Sequence, residues 1–285
     1  MNTRVKILAN IDYTRAYQQG QHVVVEGLQH FHLAQTLDCG QAFRWQATGD
    51  NAYTGIAHGR RLELALSDAG LTLYDTSLED FENIWQGYFD LGRSYATLRG
   101  ELAACDKLQD ALEFSPGLRL LVQDKWEMLI SFILSQNSNI PRIKKMISTL
   151  CEHFGDLLPC GGYTFPTAPQ LAKLNQADLT PVRLGYRSAY ILDAARRVTS
   201  GKLCLTSAAA MPTPQLRDEL LAIHGVGPKV ADCVLLFGFN RLECFPLDVW
   251  MKRVMATLYP NGFPLEFASV AGIAQQFLFH HARNS

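Results

Sequence analysis

The chain has 285 residues, 48% of them hydrophobic, which is enough apolar material for one large folded domain or two ordinary ones. Its formal net charge of −1 excludes a protein that coats DNA through overall positive charge, so any contact with nucleic acid has to be local. Seven cysteines at irregular spacing, without a CxxC pair, indicate neither a disulfide framework nor a zinc site.

The first third of the chain predicts a β-sheet. Short segments there are rich in β-branched or aromatic residues or alternate between apolar and polar residues, and Gly, Asn and Asp turn signals separate them. The predicted strands are His22–Val25, Phe43–Trp45, Arg61–Leu66 and Leu71–Tyr74.

From Ser77 onward the apolar residues recur with a helical period. The predicted helices are Leu78–Tyr88, Ser94–Ala104, Lys125–Gln136, Pro141–Phe154, Ser188–Thr199, Pro214–Ile223, Pro228–Phe239, Val249–Leu258 and Phe267–His281. The predicted fold class is therefore α+β. An N-terminal antiparallel β-sheet domain with flanking helices occupies residues 1–115, and an all-helical body occupies residues 116–285.

The most informative segment is LLAIHGVGPKVAD, from Leu220 to Asp232. An apolar helix ends at Ile223, two glycines flank Val226 and a new helix begins at Pro228, which predicts a helix-hairpin-helix. Glycines suit this turn because they adopt unusual backbone angles and let backbone N–H groups approach a phosphate. A Gly-rich link between core helices and a non-catalytic DNA-binding hairpin are the alternatives. The residues predicted to contact DNA here are His224, Gly225 and Gly227.

Lys229 falls in the first turn of the second hairpin helix. The positive end of the helix dipole disfavours an additional cation, so the ammonium loses its proton more readily there. A neutral amine is a nucleophile that forms Schiff bases with carbons such as C1′ of a sugar losing its base. On this residue alone, a phosphate contact is the better interpretation.

Asp248 shifts the interpretation of Lys229 from a phosphate contact toward catalysis. In the segment CFPLDVW it follows Pro246 and stands at a predicted helix start, where an N-cap carboxylate accepts backbone N–H bonds. An anion held near a departing base stabilises positive charge on the sugar or takes a proton from the lysine. Alone it would be a structural cap, but together with Lys229 it favours catalysis.

At this point the sequence resembles the helix-hairpin-helix DNA glycosylases, and within them the 8-oxoguanine DNA glycosylase/lyases, from about residue 20 to the C-terminus. The segment GVGPKVADC resembles the family's hairpin, which implies that Lys229 is the Schiff-base nucleophile. The segment FPLDV resembles the one that carries the essential aspartate, which implies that Asp248 is the second catalytic residue. The helical body would then be a glycosylase domain of this superfamily.

The segment CGQAFRW, Cys39–Trp45, is similar to the family element CGQxFRW. The resemblance implies that the Gly40 carbonyl accepts the N7–H that only the oxidised guanine carries. A carbonyl suits this role because normal guanine presents a lone pair at N7, and two acceptors repel each other.

Two further segments imply residues that fill the gap left by a flipped base. SFILSQNSNIPRI, Ser131–Ile143, resembles the family segment in which Asn137 enters the gap and Arg142 faces the orphaned cytosine. LGYR resembles the loop in which Tyr186 wedges into the base stack and Arg187 pairs with that cytosine. Amide and guanidinium groups suit an unpaired cytosine because it presents both a donor and acceptors.

The last predicted helix carries Gln275 and Phe279, four residues apart and hence on one face. By resemblance, Gln275 bonds to the Watson–Crick edge of the base, and Phe279 stacks on it opposite Cys233. Departures from the family pattern are Ala42, Ser138 and Trp250, which leave the backbone contacts near Trp250 open. No four-cysteine cluster follows the hairpin, so an iron–sulfur member of the superfamily is not expected.

The leading expectation is a glycosylase with β-lyase activity that excises 8-oxoguanine opposite cytosine from duplex DNA in base excision repair, acting as a monomer without metal or organic cofactor. A monofunctional alkylated-purine glycosylase that uses Asp248 alone and a non-catalytic DNA-binding protein are the alternatives. With no apolar run suited to a signal sequence or a membrane span, the expected location is the cytoplasm, near the nucleoid in a prokaryote. Local attraction to DNA is expected from Arg183, Arg187, Arg196, Arg197 and Lys202.

Overall fold

The structure is a computed structural model that describes residues 12–285. One antiparallel sheet of six strands lies in the N-terminal part, in the spatial order β1-β2-β6-β5-β4-β3. Its strands are β1 Arg15–Gln19, β2 His22–Glu26, β3 Trp45–Gly49, β4 Ala52–Ala57, β5 Arg60–Ser67 and β6 Gly70–Tyr74.

Strand β2 pairs with a neighbour on each side, β1 and β6. Its central residues Val23, Val24 and Val25 are all buried, which explains why the segment reads as a continuous apolar run rather than an alternating one. Strand β4 instead alternates between intermediate and buried positions, as a strand with one face in the core does.

Three of the four predicted strands are confirmed as β2, β5 and β6. The prediction for Phe43–Trp45 is wrong for its first two residues, because β3 begins only at Trp45. The chain before Trp45 turns at Gly40 (φ +95°) and is held there by side-chain bonds of Gln41, which keep it out of the sheet. Strands β1 and β4 were not predicted.

Helices make up most of the chain after β6. The α-helices are α1 Leu33–Leu37, α2 Leu78–Asp80, α3 Gln86–Tyr88, α4 Tyr95–Leu102, α5 Gln109–Phe114, α6 Lys125–Leu134, α7 Ile140–Phe154, α8 Ala168–Ala172, α9 Arg187–Thr199, α10 Leu205–Ala208, α11 Thr213–Leu221, α12 Pro228–Phe239, α13 Val249–Leu258 and α14 Ala271–Asn284. None of them is long and apolar enough to cross a bilayer, within residues 12–285.

The nine predicted helices all occur, and the predicted bounds of α12 and α13 match the structure. The predicted helix Leu78–Tyr88 contains a π-helical turn, Phe81–Trp85, between α2 and α3. The predicted start of the last helix is wrong, since Leu265–Val270 is a 3₁₀ segment and α14 begins at Ala271. The short helices α1, α5, α8 and α10 carry too few turns to show a helical period in the sequence.

Helix starts follow ordinary capping chemistry. The side chains of Asp124, Asn139, Thr167 and Asp248 each accept a backbone N–H in the first turn of α6, α7, α8 and α13. Pro228 opens α12, where a missing N–H costs no helical bond, and Asn240 closes it in a left-handed conformation (φ +54°).

The chain divides into two compact units that are not continuous in sequence. The described part of the first unit comprises residues 12–55, Leu62–Val122 and Leu247–Ser285. It contains most of the sheet and also α13 and α14. The second comprises Ile56–Arg61 and Gln123–Pro246, with α6 to α12. The division of the sequence at residue 115 stays a prediction.

A buried arginine organises the polar interior of the first unit. The Arg119 guanidinium donates to Asp12 Oδ2 at 2.7 Å and to the carbonyls of Gln29, His30 and Asp90 at 2.9–3.0 Å. These partners satisfy the charge that burial would otherwise make costly. The Arg119 carbonyl in turn accepts from Gln41, so the network also fixes the loop beside Gly40.

Candidate active site

The hairpin lies between α11 and α12 in the second unit. Gly225 has φ +82°, and a Cβ on it would overlap the ring of Tyr190. Glycine is therefore required at this position both for its backbone angle and for space. Gly227 is different: its φ of −97° is open to any residue, and a Cβ there would meet nothing within 4 Å. The expectation of an unusual backbone angle is confirmed at Gly225 and wrong at Gly227.

Lys229 lies in the first turn of α12, as expected, and its side chain is half-buried. Its Nζ donates to Ser135 Oγ at 3.2 Å and lies 5.0 Å from the centroid of the Phe132 ring. Ser135 Oγ donates onward to the Phe132 carbonyl at 2.8 Å, so its lone pairs face the amine. The end of α6 therefore fixes the direction in which the amine points.

The segment after α6 presents Asn137 at the surface. Asn137 adopts a left-handed conformation, with φ +47°, and its Nδ2 donates to the Tyr186 hydroxyl at 3.2 Å. The Tyr186 side chain is 48% exposed. The structure thus brings together two residues from separate motifs that the sequence assigned to the same gap.

Arg187 is buried, 3% exposed, beneath these two side chains. Its guanidinium donates to the carbonyls of Gln136, Asn137 and Leu184 and lies 4.7 Å from the Tyr186 ring centroid. Backbone carbonyls in the interior thus occupy donors of this guanidinium, and its expected local attraction to DNA stays a prediction. Its pairing with cytosine stays a prediction.

A column of aromatic rings joins the exposed tyrosine to the hairpin. Tyr186 meets Tyr190 edge-on at 5.6 Å, and Tyr190 meets His224 edge-on at 4.7 Å. Asp193 accepts the backbone N–H of His224 at 2.9 Å and also pairs with Arg197 at 2.8 Å. Helix α9 therefore positions the hairpin and the tyrosine at once.

The remaining predicted DNA contacts of this unit are at its surface. Arg142 is exposed in the first turn of α7, where its backbone N–H bonds to Asn139 Oδ1 at 3.0 Å. Among the predicted basic side chains, those exposed to solvent are Arg183, Arg196 and Lys202.

In the first unit, Asp248 is the N-cap of α13. Its Oδ1 accepts the Met251 N–H at 2.8 Å, which confirms the predicted cap and leaves the carboxylate at the positive end of a helix. Lys229 and Asp248 belong to different compact units, and their meeting at one sugar carbon stays a prediction.

The Gly40 loop is clamped on both sides. Cys39 and Gln41 are fully buried, and Gln41 bonds to the carbonyls of Thr36 and Arg119 at 2.8 and 2.7 Å and to the Leu121 N–H at 2.9 Å. Burial raises the pKa of the Cys39 thiol to about 12, so it stays protonated and remains a donor. A loop held this firmly keeps the Gly40 carbonyl in one direction.

Helix α14 carries the predicted base-contacting pair. Gln275 is 3% exposed and Phe279 is half-buried, one turn further along the helix. Gln276, which the sequence did not single out, donates from Nε2 to Gln275 Oε1 at 3.2 Å, and its Oε1 accepts from Cys39 Sγ at 3.6 Å. Cys233, in the second unit, is 3% exposed on α12, four residues after Lys229 and so on the same face.

Four residues were therefore missed by sequence reasoning: Phe132, Ser135, Tyr190 and Gln276. Phe132 and Ser135 lie inside a segment that was already matched, and Tyr190 is one helical turn from Tyr186, so spacing gave a signal for these three. Gln276 had none, because neighbouring helix positions point in different directions. Across residues 12–285, no group of three His, Cys, Asp or Glu side chains is arranged to hold a metal ion.

The comparisons with known proteins divide the chain into two family matches. Residues 23–129 match the N-terminal domain of 8-oxoguanine DNA glycosylase, and residues 130–262 match the HhH-GPD superfamily base excision DNA repair proteins. A probable N-glycosylase/DNA lyase of Methanothermobacter thermautotrophicus is 32% identical over 243 residues, which cover 74% of this chain and 76% of that protein. An N-glycosylase/DNA lyase of Arabidopsis thaliana is 30% identical over 277 residues, or 87% of this chain and 76% of that protein.

A solved structure extends this likeness to the whole fold. The 8-oxoguanine glycosylase/lyase of Clostridium acetobutylicum, in complex with double-stranded DNA containing cytosine opposite 8-oxoguanine, matches with a TM-score of 0.90. The identity is 35%, and the match covers 96% of this chain and 99% of that chain. The chain belongs to the 8-oxoguanine DNA glycosylase/lyase family of the helix-hairpin-helix superfamily and is a DNA glycosylase with lyase activity.

Proposed function

We propose that this chain flips 8-oxoguanine out of duplex DNA, opposite cytosine, and excises it through a Schiff base formed by Lys229. The observation that carries the proposal is the environment of the amine. Lys229 Nζ is half-buried at the start of α12, directed by Ser135 and lying over the Phe132 ring, immediately after a hairpin built around Gly225. A positioned amine beside a DNA-anchoring turn fits attack on a sugar carbon.

The chemical step uses Lys229 and Asp248 together. The neutral Nζ attacks C1′ and the C1′–N9 bond breaks, so the bonding electron pair leaves with the base, which takes up a proton. Asp248 accepts a proton from the amine and passes it to O4′ as the C1′–O4′ bond breaks, so the sugar ring opens and an imine forms between Nζ and C1′. Loss of a C2′ proton then expels the 3′ phosphate oxygen by β-elimination, and hydrolysis of the imine releases Lys229.

Recognition of the lesion relies on the clamped Gly40 loop and on α14. The Gly40 carbonyl accepts N7–H of 8-oxoguanine, Gln275 bonds to its Watson–Crick edge, and Phe279 stacks on its face opposite Cys233. The rigidity of the loop supports this role, because a carbonyl that cannot turn away repels the N7 lone pair of normal guanine.

The gap in the duplex is filled from the second unit. Flipping costs a few kcal/mol of stacking and pairing, which side chains that enter the stack recover in part. Exposed Tyr186 and the bonded Asn137 suit that insertion, while Arg142 and Arg187 face the cytosine. The backbone N–H groups of His224, Gly225 and Gly227 anchor a phosphate.

Borohydride trapping on a duplex with 8-oxoguanine opposite cytosine tests the proposal. The wild-type chain is expected to form a covalent adduct with the DNA, Lys229→Gln is expected to form none, and the exposed control Lys173→Gln is expected to behave as wild type. An adduct with Lys229→Gln, or none with wild type, overturns the assignment. Excision of methylated purines without an adduct would indicate water attack with Asp248 alone, and DNA binding without excision would indicate a non-catalytic hairpin.

With chromosomal DNA as the substrate, we expect the enzyme to work where the DNA is, in a prokaryote the cytoplasm.

A further inference from the structure

A buried chain of three polar side chains connects the Gly40 loop to α14 within the first unit. Cys39 Sγ lies 3.6 Å from Gln276 Oε1, and Gln276 Nε2 lies 3.2 Å from Gln275 Oε1. Exposures of 0% for Cys39 and 3% for each glutamine exclude bulk water from the chain. In the interior such bonds are stronger, and leaving one unmade is more costly, than at the surface.

The orientation of the Gln276 amide gives these hydrogen bonds a direction. The Cys39 thiol has one hydrogen and two acceptors within reach, the Thr36 carbonyl at 3.4 Å and Gln276 Oε1 at 3.6 Å. Gln276 turns its oxygen toward the thiol and its nitrogen toward Gln275, which receives the bond on its own oxygen. Gln276 thus fixes which end of the Gln275 amide accepts and which donates.

We propose that Gln276 is a positioning residue for lesion recognition, which sets the donor and acceptor ends of the Gln275 amide and ties them to the loop that carries Gly40. This inference rests on the proposed function of Gln275 at the Watson–Crick edge. An amide whose two ends are exchanged presents a donor where the guanine edge also donates, and that mismatch is repulsive. Gln276 itself does not contact the base.

The test compares two flipped bases that differ only at the edge in question. 8-Oxoguanine and 8-oxohypoxanthine share N7–H and the 8-oxo group, but 8-oxohypoxanthine lacks the 2-amino group. Single-turnover excision of each base opposite cytosine is measured for wild type and for Gln276→Met, which keeps the side-chain length and removes the amide. A duplex with an abasic site serves as the control substrate, because β-elimination there requires no base recognition.

For Gln276→Met we expect excision of 8-oxoguanine to fall about 10-fold, the size of one buried hydrogen-bond defect, with abasic-site cleavage unchanged. The preference for 8-oxoguanine over 8-oxohypoxanthine should shrink by a similar factor, since the lost discrimination lies at the amino edge. An unchanged preference, or an equal fall in abasic-site cleavage, overturns the inference.

A second pair of variants tests the other end of the chain without touching α14. Cys39→Ser keeps a donor toward Gln276 and is expected to retain the wild-type preference, whereas Cys39→Ala removes it and should reduce the preference in the same direction as Gln276→Met. Equal preferences for the two Cys39 variants overturn the inference, even if Gln276→Met fails to fold. If the wild-type chain excises neither base, the proposed function itself is contradicted. If the wild-type chain excises 8-oxoguanine and the variants show the same preference as wild type, only the inference about Gln276 is contradicted.

Discussion

Two groups of residues differ sharply in burial. The hairpin cluster of the second unit, Ser135, Asn137, Tyr186, Tyr190 and Lys229, is partly open to solvent, and Tyr186 is 48% exposed. The reader cluster of the first unit, Cys39, Gly40, Gln41, Gln275 and Gln276, is sealed except at Gly40, with Gln275 3% exposed. Groups proposed to enter DNA or attack it stay accessible, and groups proposed to discriminate between bases are immobilised.

The physical reason lies in what each group has to do. An inserting or attacking side chain has to reach atoms outside the protein, so only its root can be fixed, as Ser135 and Tyr190 fix the hairpin cluster. A side chain that discriminates between hydrogen-bond patterns has to resist rotation, and burial with satisfied partners provides that resistance. Substitutions in the hairpin cluster should therefore reduce excision activity, and substitutions in the reader cluster should weaken the discrimination between bases.

The largest effect is expected at Asp248, which lies in neither cluster and is both a helix cap and a proposed catalyst. Asn caps helices as well as Asp, so Asp248→Asn should leave the free energy of unfolding unchanged while single-turnover excision falls by about 10²–10⁴-fold. Asp248→Ala should also lose about 1 kcal/mol of stability through the missing cap. Wild-type excision by the Asn variant would show that Asp248 is only a structural cap.

The next effect concerns Arg187, which is buried against Tyr186 and Asn137 of the more open cluster. Arg187→Lys replaces a fork that donates to three carbonyls with a single ammonium, and we expect the free energy of unfolding to fall by about 2 kcal/mol. Preference for 8-oxoguanine opposite cytosine over adenine should fall as Asn137 loosens. The control is the exposed Arg196→Lys, and equal stability of the two variants in denaturant titrations would contradict the prediction.

A substitution at Gly225 tests two separate contributions to hairpin stability, the left-handed backbone angle and the contact with the Tyr190 ring. Gly225→Ala combines a left-handed residue with overlap on the Tyr190 ring, so it should cost about 2 kcal/mol of stability and weaken DNA binding. Gly201 has a similar φ of +76° with nothing within 4 Å of a Cβ, so Gly201→Ala should cost only about 1 kcal/mol. Equal losses of melting temperature in the two variants would show that the ring contact contributes nothing.

The smallest effect is a pH dependence in α14, the helix of the reader cluster. Burial, followed by the neighbouring charges of Arg283, His281 and His32, lowers the pKa of His280, whose Nδ1 lies 2.6 Å from Ser115 Oγ. The unfolded chain, with an ordinary histidine pKa of about 6.5, therefore binds the proton more readily than the folded chain does. Stability should be fully present above that pH and fall as the pH drops toward the lowered value. When the melting temperature is measured between pH 8 and 5, His280→Gln should reduce its fall with decreasing pH. An unchanged fall would exclude His280 as the source of this pH dependence.

Sequence patterns were most informative where a local rule acts alone. The bounds of α12 and α13 were predicted because Pro228 and Asp248 begin them by capping chemistry that requires no distant partner. The positive φ of Gly225 was predicted for the same reason. The segment before β3 was predicted incorrectly because its conformation depends on bonds between Gln41 and Arg119, 78 residues apart.

The sequence by itself determined the α+β order of elements, the hairpin and the identity of its lysine, because these depend on residue types at short spacing. Only the tertiary structure decided that Arg187 is buried under Tyr186, that Ser135 directs the amine and that Gln276 joins Cys39 to Gln275. Each of these contacts joins residues whose side-chain directions are set by packing rather than by chain neighbours. A partner brought close by the fold leaves no trace in the local pattern, which is why the supporting residues of both clusters emerged only from the structure.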